Sequence, residues 1–185
     1  MNIFILNESP IIAAQEQCDK HVVKMIVESA QMLSTAHRML DGNETRRPSK
    51  SGKTMSKYWE LPDNRESVLY KAVHIGHPCT VWTMEAKTNY VWHYAHFIAL
   101  CDEYQYRYGK KHLTDQLLSE TLKKIPDNIP DIKRTPFKLA MGSNPECVSK
   151  DPVESYRRFY ETKQERFKMV WSKRPVPSWF NLRVA

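Results

Sequence analysis

Apolar positions recur with helical period over much of the chain, most clearly from Asp19 to Leu40. At about 100° per residue, Val22, Ile26, Ser29, Leu33, Ala36 and Leu40 form one apolar arc. His21, Glu28 and Met39 fall within roughly 20° of one another at its edge, beside Met25 and Met32. A carboxylate between methionines on a core-facing edge is costly to desolvate unless it is paired or used. Glu28 is therefore the first candidate functional acid, with His21 two turns earlier on the same side.

The flanking signals predict where helices start and stop. Ser9-Pro10 reads as an N-cap with proline at the first helical position. The helical pattern that follows is interrupted near Cys18-Asp19 and ends at Asp41-Gly42. Residues 2–6 are a short apolar run, expected to lie extended against the core. Residues 43–65 predict a basic loop, and 66–74 a helix. The turn His74-Ile75-Gly76-His77-Pro78 then opens a helix through Glu85. Helical pattern resumes from Asn89 to Tyr108, stopped by Gly109, and Thr114 caps a short helix to Lys124. Residues 125–150, with Pro126, Pro130, Pro136 and Pro145, predict an irregular connection. Asp151-Pro152-Val153-Glu154 places an acceptor at N-cap, proline at N1 and glutamate at N3, predicting a last helix to about Trp171. Lys173 to Phe180 reads as an extended tail. With no βαβ alternation, the expected fold class is all-α: a single-domain helical bundle with long irregular loops and a short extended N-terminal segment.

A chain of 185 residues, 41% hydrophobic, suits one core. No run approaches the roughly 20 apolar residues of a membrane span, and the first residues lack the features of an export signal. Cys18, Cys79, Cys101 and Cys147 form no CxxC pair and read as reduced core thiols, so a cytoplasmic location and no membrane partner are expected. The net charge of +7 points towards a polyanion. It concentrates in two stretches, 44–57 (with Arg46, Arg47, Lys50, Lys53 and Lys57) and 157–174. Ser51-Gly52-Lys53-Thr54 is not a phosphate-binding loop, because no glycine sits five residues before Gly52.

Tyr104, Tyr106 and Tyr108, interleaved with Arg107, Lys110 and Lys111, have the composition for phosphate contact plus base stacking. Cys18/His21 and His74/His77/Cys79 are zinc-ligand types, but the spacing is loose and no metal is expected; His74 and His77 suit hydrogen bonds that fix the turn, or contact with a phosphate. There is no nucleophilic elbow. Two amines are better placed as nucleophiles. Lys24 lies one turn before Glu28 on the same helix. The other is the chain's own α-amine, a group with a reference pKa near 8.

His21-(six residues)-Glu28, Gly76-His77, Glu103-(three residues)-Arg107-Tyr108-Gly109 and Arg174-Pro175…Trp179-Phe180 occur in an order that resembles the phage pyrimidine-dimer DNA glycosylase (endonuclease V) family. Gly76-His77-Pro78 is also similar to the Asn-His-Pro turn of bacterial relatives. The resemblance implies a compact all-α fold whose N-terminus threads into the core beside the glutamate. It implies attack by the N-terminal amine on C1′ of a nucleotide extruded from duplex DNA, through a Schiff base, with no cofactor. Glu28 would stabilise the cationic sugar and move protons, and His21 would lie by the DNA backbone. The phage member exposes a small residue after methionine removal. Here Asn2 follows Met1, before which methionine is usually kept, so the nucleophile would be Met1's own amine or none. The family's two flanking arginines fall on Val27 and Gln31.

The sequence-based expectation is thus a monomeric DNA N-glycosylase with abasic-site lyase capacity, its catalytic candidates being Glu28, Met1, Asn2, His21 and Lys24. Candidate DNA contacts are Gln31, Arg38, Arg46 and Arg47, then His74, His77 and Lys87, and finally Arg107, Lys110, Lys111 and Arg174. The alternatives are a phage-type enzyme acting on modified bases or nucleotides, and a non-catalytic nucleic-acid-binding protein in which Glu28 is a satisfied core carboxylate.

Overall fold

The structure is a computed structural model that describes residues 1–49 and 51–182. Lys50, counted above in the basic stretch, lies outside the described residues. Among the described residues seven α-helices and one hairpin follow in the order α1 (Pro10–Gln15), α2 (Asp19–Asp41), β1 (Asn43–Pro48), β2 (Met55–Glu60), α3 (Arg65–Val68), α4 (Pro78–Glu85), α5 (Lys87–Tyr108), α6 (Leu113–Lys123) and α7 (Pro152–Glu161).

The all-α expectation is corrected. β1 and β2 pair antiparallel from Asn43↔Glu60 to Pro48↔Met55, and the fold is mixed, about half helical. The hairpin left no period-2 hydrophobic signal because Trp59 is the one buried residue of β1 and β2. A ribbon solvated on both faces reads as a polar loop.

Local signals account for most helix ends. Pro10 starts α1 after Ser9, Asp151 accepts from the Val153 amide at 2.9 Å to start α7, and Gly109 stops α5 in the left-handed region at φ 70°. Gly42 ends α2 where a Cβ would lie 2.5 Å from the Arg38 carbonyl, so no larger residue fits without a backbone shift. The cap of α6 is His112, whose Nδ1 accepts from the Thr114 amide, rather than Thr114 itself.

Two helices are shorter than expected, each for a tertiary reason. The helix predicted over 66–74 is only α3, because Arg38 takes the carbonyls of Glu66, Leu69 and Tyr70. The last helix stops at Glu161, followed by a 3-10 turn over Thr162–Glu165. Beyond it the chain turns back, so that Val170 accepts from the Asp19 amide and the Trp171 indole donates to the Glu16 carbonyl.

The core lies where α2 packs along α5, with α1 and α4 against them. Residues 2–6 thread into it, with Ile3, Ile5 and Leu6 at 0–1% exposure. Bonds from distant segments hold them there. Gln17 donates to the Ile3 carbonyl and Arg157 to the Leu6 carbonyl. The four cysteines are free and buried. Among the described residues no helix is long and apolar enough to cross a membrane.

Candidate active site

Burying residues 2–6 has one chemical consequence: the chain's first nitrogens are carried to the edge of α2. The Met1 α-amine lies 3.7 Å from Glu28 Oε2, and the Asn2 amide donates to the same oxygen at 2.9 Å. From one turn back on α2, Lys24 Nζ approaches Glu28 Oε1 at 3.2 Å. Glu28 therefore faces three nitrogens, and its side chain is 12% exposed. It is neither sealed in hydrocarbon nor free in bulk water.

The terminus is pinned on both sides. Asn2 Oδ1 accepts from the Phe4 amide at 2.9 Å, and Asn2 Nδ2 donates to the Ala140 carbonyl at 3.0 Å. Phe4 sits at φ 55°, a conformation that costs a bulky residue about 1–2 kcal/mol and persists because its surroundings impose it. His77 caps α4 by accepting from the Cys79 amide at Nδ1, and its ring lies beside the Met1 backbone. Burial, the neighbouring α-ammonium and His74 lower the His77 pKa, so the ring that braces the terminus is neutral.

Above Glu28 opens a cleft of about 480 Å³. Its walls are Phe4, His21, Phe159 and Phe167, and its rim carries Lys20, Lys24, Lys163 and Arg166. Lys163 lies over the Phe159 ring at 3.4 Å and Lys20 over Phe167 at 4.7 Å, so the cations are held against aromatic walls. His21 packs among Phe4, Tyr160 and Phe167, with Nδ1 2.7 Å from the Tyr160 hydroxyl. Burial, then the charges of Lys24 and Lys163, push its pKa down to about 3. His21 is thus a neutral wall residue and supplies no charge to a phosphate near neutral pH. One carboxylate beneath four rim cations and flat rings makes a cleft that concentrates anions and accepts a planar group.

The structure brings Met1, Asn2, His21, Lys24 and Glu28 together and leaves most of the candidate contacts elsewhere. Gln31 follows on α2, half-buried. Arg38 is an internal strut, 1% exposed, bonded to Glu66 and to the carbonyls of Trp59, Leu69 and Tyr70. Arg107 is buried on Glu103 and Asp19, at 2.7 and 2.8 Å. Arg174 meets Glu103 from the other side at 2.9 Å. These two arginines tie the C-terminal tail and the α1–α2 junction onto α5. Tyr106 and Tyr108 serve the same seam, Tyr106 donating to the Lys173 carbonyl of the tail and Tyr108 to the Asp19 carbonyl at the start of α2. Lys87 pairs with Asp131, while Lys110 and Lys111 are exposed past the end of α5. Exposed His74 lies in the turn before α4, and Arg46 and Arg47 are on β1. Among the described residues no three His, Cys, Asp or Glu side chains converge as a metal site.

Sequence reasoning missed Lys20, Phe4, Phe159 and Phe167. Lys163 and Arg166 were visible only as part of a charge-rich stretch, since their approach to Glu28 depends on the turn after α7. A second hollow of about 530 Å³ lies over α5 among Ile11, Val91, Ala95 and Ile98. Its acids are Asp102 and Glu103, and its one cation, Arg174, is already paired. An anion has reason to enter the first cleft and none to enter the second.

Comparison with family models, curated proteins and solved structures finds no match for this chain.

Proposed function

We propose that the cleft over Glu28 is the active site of a DNA-acting N-glycosylase with abasic-site lyase capacity, taking a nucleotide extruded from a duplex. The observation that carries this reading is the pairing of the chain's first nitrogens with a half-enclosed carboxylate at the base of a cationic, aromatic-walled cleft. The order of motifs shared with the endonuclease V family supports it.

In this reading Glu28 accepts the proton that the α-ammonium must lose. The amine lone pair attacks C1′, the glycosidic bond breaks, and its electrons leave with the base, which takes up a proton. The nitrogen gives up its second proton, which the departing base takes, and the sugar ring opens as Glu28 returns its proton to O4′, leaving an iminium between C1′ and the protein and Glu28 again a carboxylate. Removal of a C2′ proton by the Glu28 carboxylate then expels the 3′ phosphate. Phe159 and Phe167 offer faces to the extruded group, and Lys24, Lys163 and Arg166 offer charge to the flanking phosphates. Asn2 N is already on Glu28, so loss of Met1 would present a primary amine to the same carboxylate.

Borohydride trapping tests this directly. With a duplex carrying one abasic site, the protein is expected to form a covalent adduct whose proteolytic map ends at residue 1 or 2. Base release without an adduct would leave a glycosylase that uses water. Neither adduct nor base release, under conditions in which a control lyase traps, would leave a binding protein and sink the proposal.

A further inference from the structure

The β1–β2 hairpin adds little to the core, for Trp59 is the one buried side chain of its two strands. Its charge is arranged at a cost. In the observed register Arg46 stands directly opposite Lys57, and like charges in that position destabilise a ribbon. Lys57 is relieved by Glu44 at 2.9 Å, which leaves Arg46 without an ion pair among the described residues. Lys53 in the turn and Lys71 beside the hairpin base are also exposed and without an ion pair among the described residues. Arg47, Lys57 and Lys71 border a hollow of about 250 Å³ between the hairpin and residues 71–73.

The base of the hairpin is stiff. Arg47 stacks on the Tyr58 ring at 3.7 Å and pairs with Glu60 and Glu66. Tyr58 and Arg38 both bond Glu66, and Arg38 also donates to the Trp59 carbonyl. A solvated ribbon held this firmly can present its cations at a set distance.

The distance from the cleft to the base of the hairpin follows from α2. Lys24, Glu28, Thr35 and Arg38 fall within roughly 80° of one another at 100° per residue, on a single face of the helix. Lys24 and Glu28 line the cleft, Thr35 bonds the Val73 backbone, and Arg38 grips the hairpin base. Cleft and hairpin therefore lie along one side of α2. Residues 28 to 38 rise ~15 Å at 1.5 Å per residue, slightly under half of the roughly 35 Å turn of a duplex. Half a turn along, a duplex shows its other groove to the same protein face, and a two-stranded ribbon fits a major groove.

We propose that the hairpin is a second contact to duplex DNA, an arm that uses Arg46, Lys53 and Lys71 to grip the backbone about half a helical turn to one side of the nucleotide held over Glu28. The assignment rests on reading the cleft as a nucleotide site.

The test compares unaltered protein with an R46A/K53A/K71A variant on duplexes bearing one tetrahydrofuran abasic analogue, with either flank cut from about 8 to 3 base pairs. The unaltered protein should weaken when one particular flank is shortened and stay unchanged when the other is. The variant should bind the long duplex roughly tenfold or more weakly, lose its dependence on that flank, and show a log–log salt slope shallower by about 2.7, at ~0.9 per phosphate contact. Trapping of an abasic short duplex at saturating protein should be the same for both. Equal slopes and equal flank dependence would overturn the arm while leaving the cleft reading intact. Failure of the unaltered protein to bind or trap would overturn both, and arm-dependent preference for an RNA duplex would overturn the assignment to DNA.

Discussion

Replacing Glu28 by glutamine separates chemistry from fold, because the amide keeps one contact and loses two. Glutamine Oε1 can still accept from the Asn2 amide, now at 2.9 Å from the carboxylate. What disappears is the negative charge facing the α-amine at 3.7 Å and Lys24 at 3.2 Å. The Lys24 partner is 65% exposed, so that pair is worth ~0–1 kcal/mol. The α-amine pair is more enclosed, with a gross attraction of ~4 kcal/mol at an effective dielectric near 20, much of it offset by desolvation of both ions. The net loss of stability should stay below ~2 kcal/mol, lowering the melting midpoint by no more than ~8 °C in a chain of this length. Loss of the proton-accepting group should slow single-turnover strand cleavage by about 10²- to 10⁴-fold. Thermal unfolding, trapping yield and single-turnover cleavage on one preparation give the comparison. A variant that melts near the unaltered midpoint and cleaves at the unaltered rate would refute the reasoning. A variant that loses its fold together with its activity would make the carboxylate structural.

Further outcomes follow from the same structure. Arg38→Ala should cost ~3–5 kcal/mol, because it strands the carbonyls of Trp59 and Leu69 and takes from Glu66 the more buried of its two arginines; denaturant unfolding measures this, and a loss under ~1 kcal/mol would contradict the strut role. Acid should destabilise the fold from about pH 6.5 downwards. Burial, helped by neighbouring cations, lowers His21 to about 3 and His37 to about 4, and burial alone lowers His96 to about 3. The unfolded chain therefore gains protons that the folded chain refuses, at up to ~1.4 kcal/mol per pH unit for each histidine. Glu66 adds to this lower down. Burial opposes its ionisation, but bonds from Tyr58, the Leu61 amide and Arg38 outweigh that and hold it down to about 2, so its contribution is lost as pH falls from the ordinary carboxylate range towards 2. A melting midpoint unchanged between pH 7 and pH 5 would be inconsistent with three buried neutral imidazoles.

What the sequence determined by itself was whatever is decided within a turn or two of chain. The apolar arc of α2, the proline starts at Pro10, Pro78 and Pro152, and the glycine stops at Gly42 and Gly109 depend on capping and periodicity, which act between near neighbours. Glu28 stood out for the same reason, as a carboxylate out of keeping with the edge it occupies. Of its partners, only Lys24, one turn back on the same helix, could be read locally. Tertiary packing alone decided that residues 1 and 2 return to a carboxylate in the middle of α2, and that Lys163 and Arg166 close over it from the far end of the chain. Packing also decided which cations are free to meet an anion. Arg38, Arg107 and Arg174 look no different in sequence from Arg46 or Arg166, yet they are consumed by internal carbonyls and carboxylates. The hairpin escaped notice because a ribbon that buries a single tryptophan leaves no alternation to read. Local pattern reports how a segment buries its own surface, whereas a functional site forms where distant segments leave charge and space unfilled.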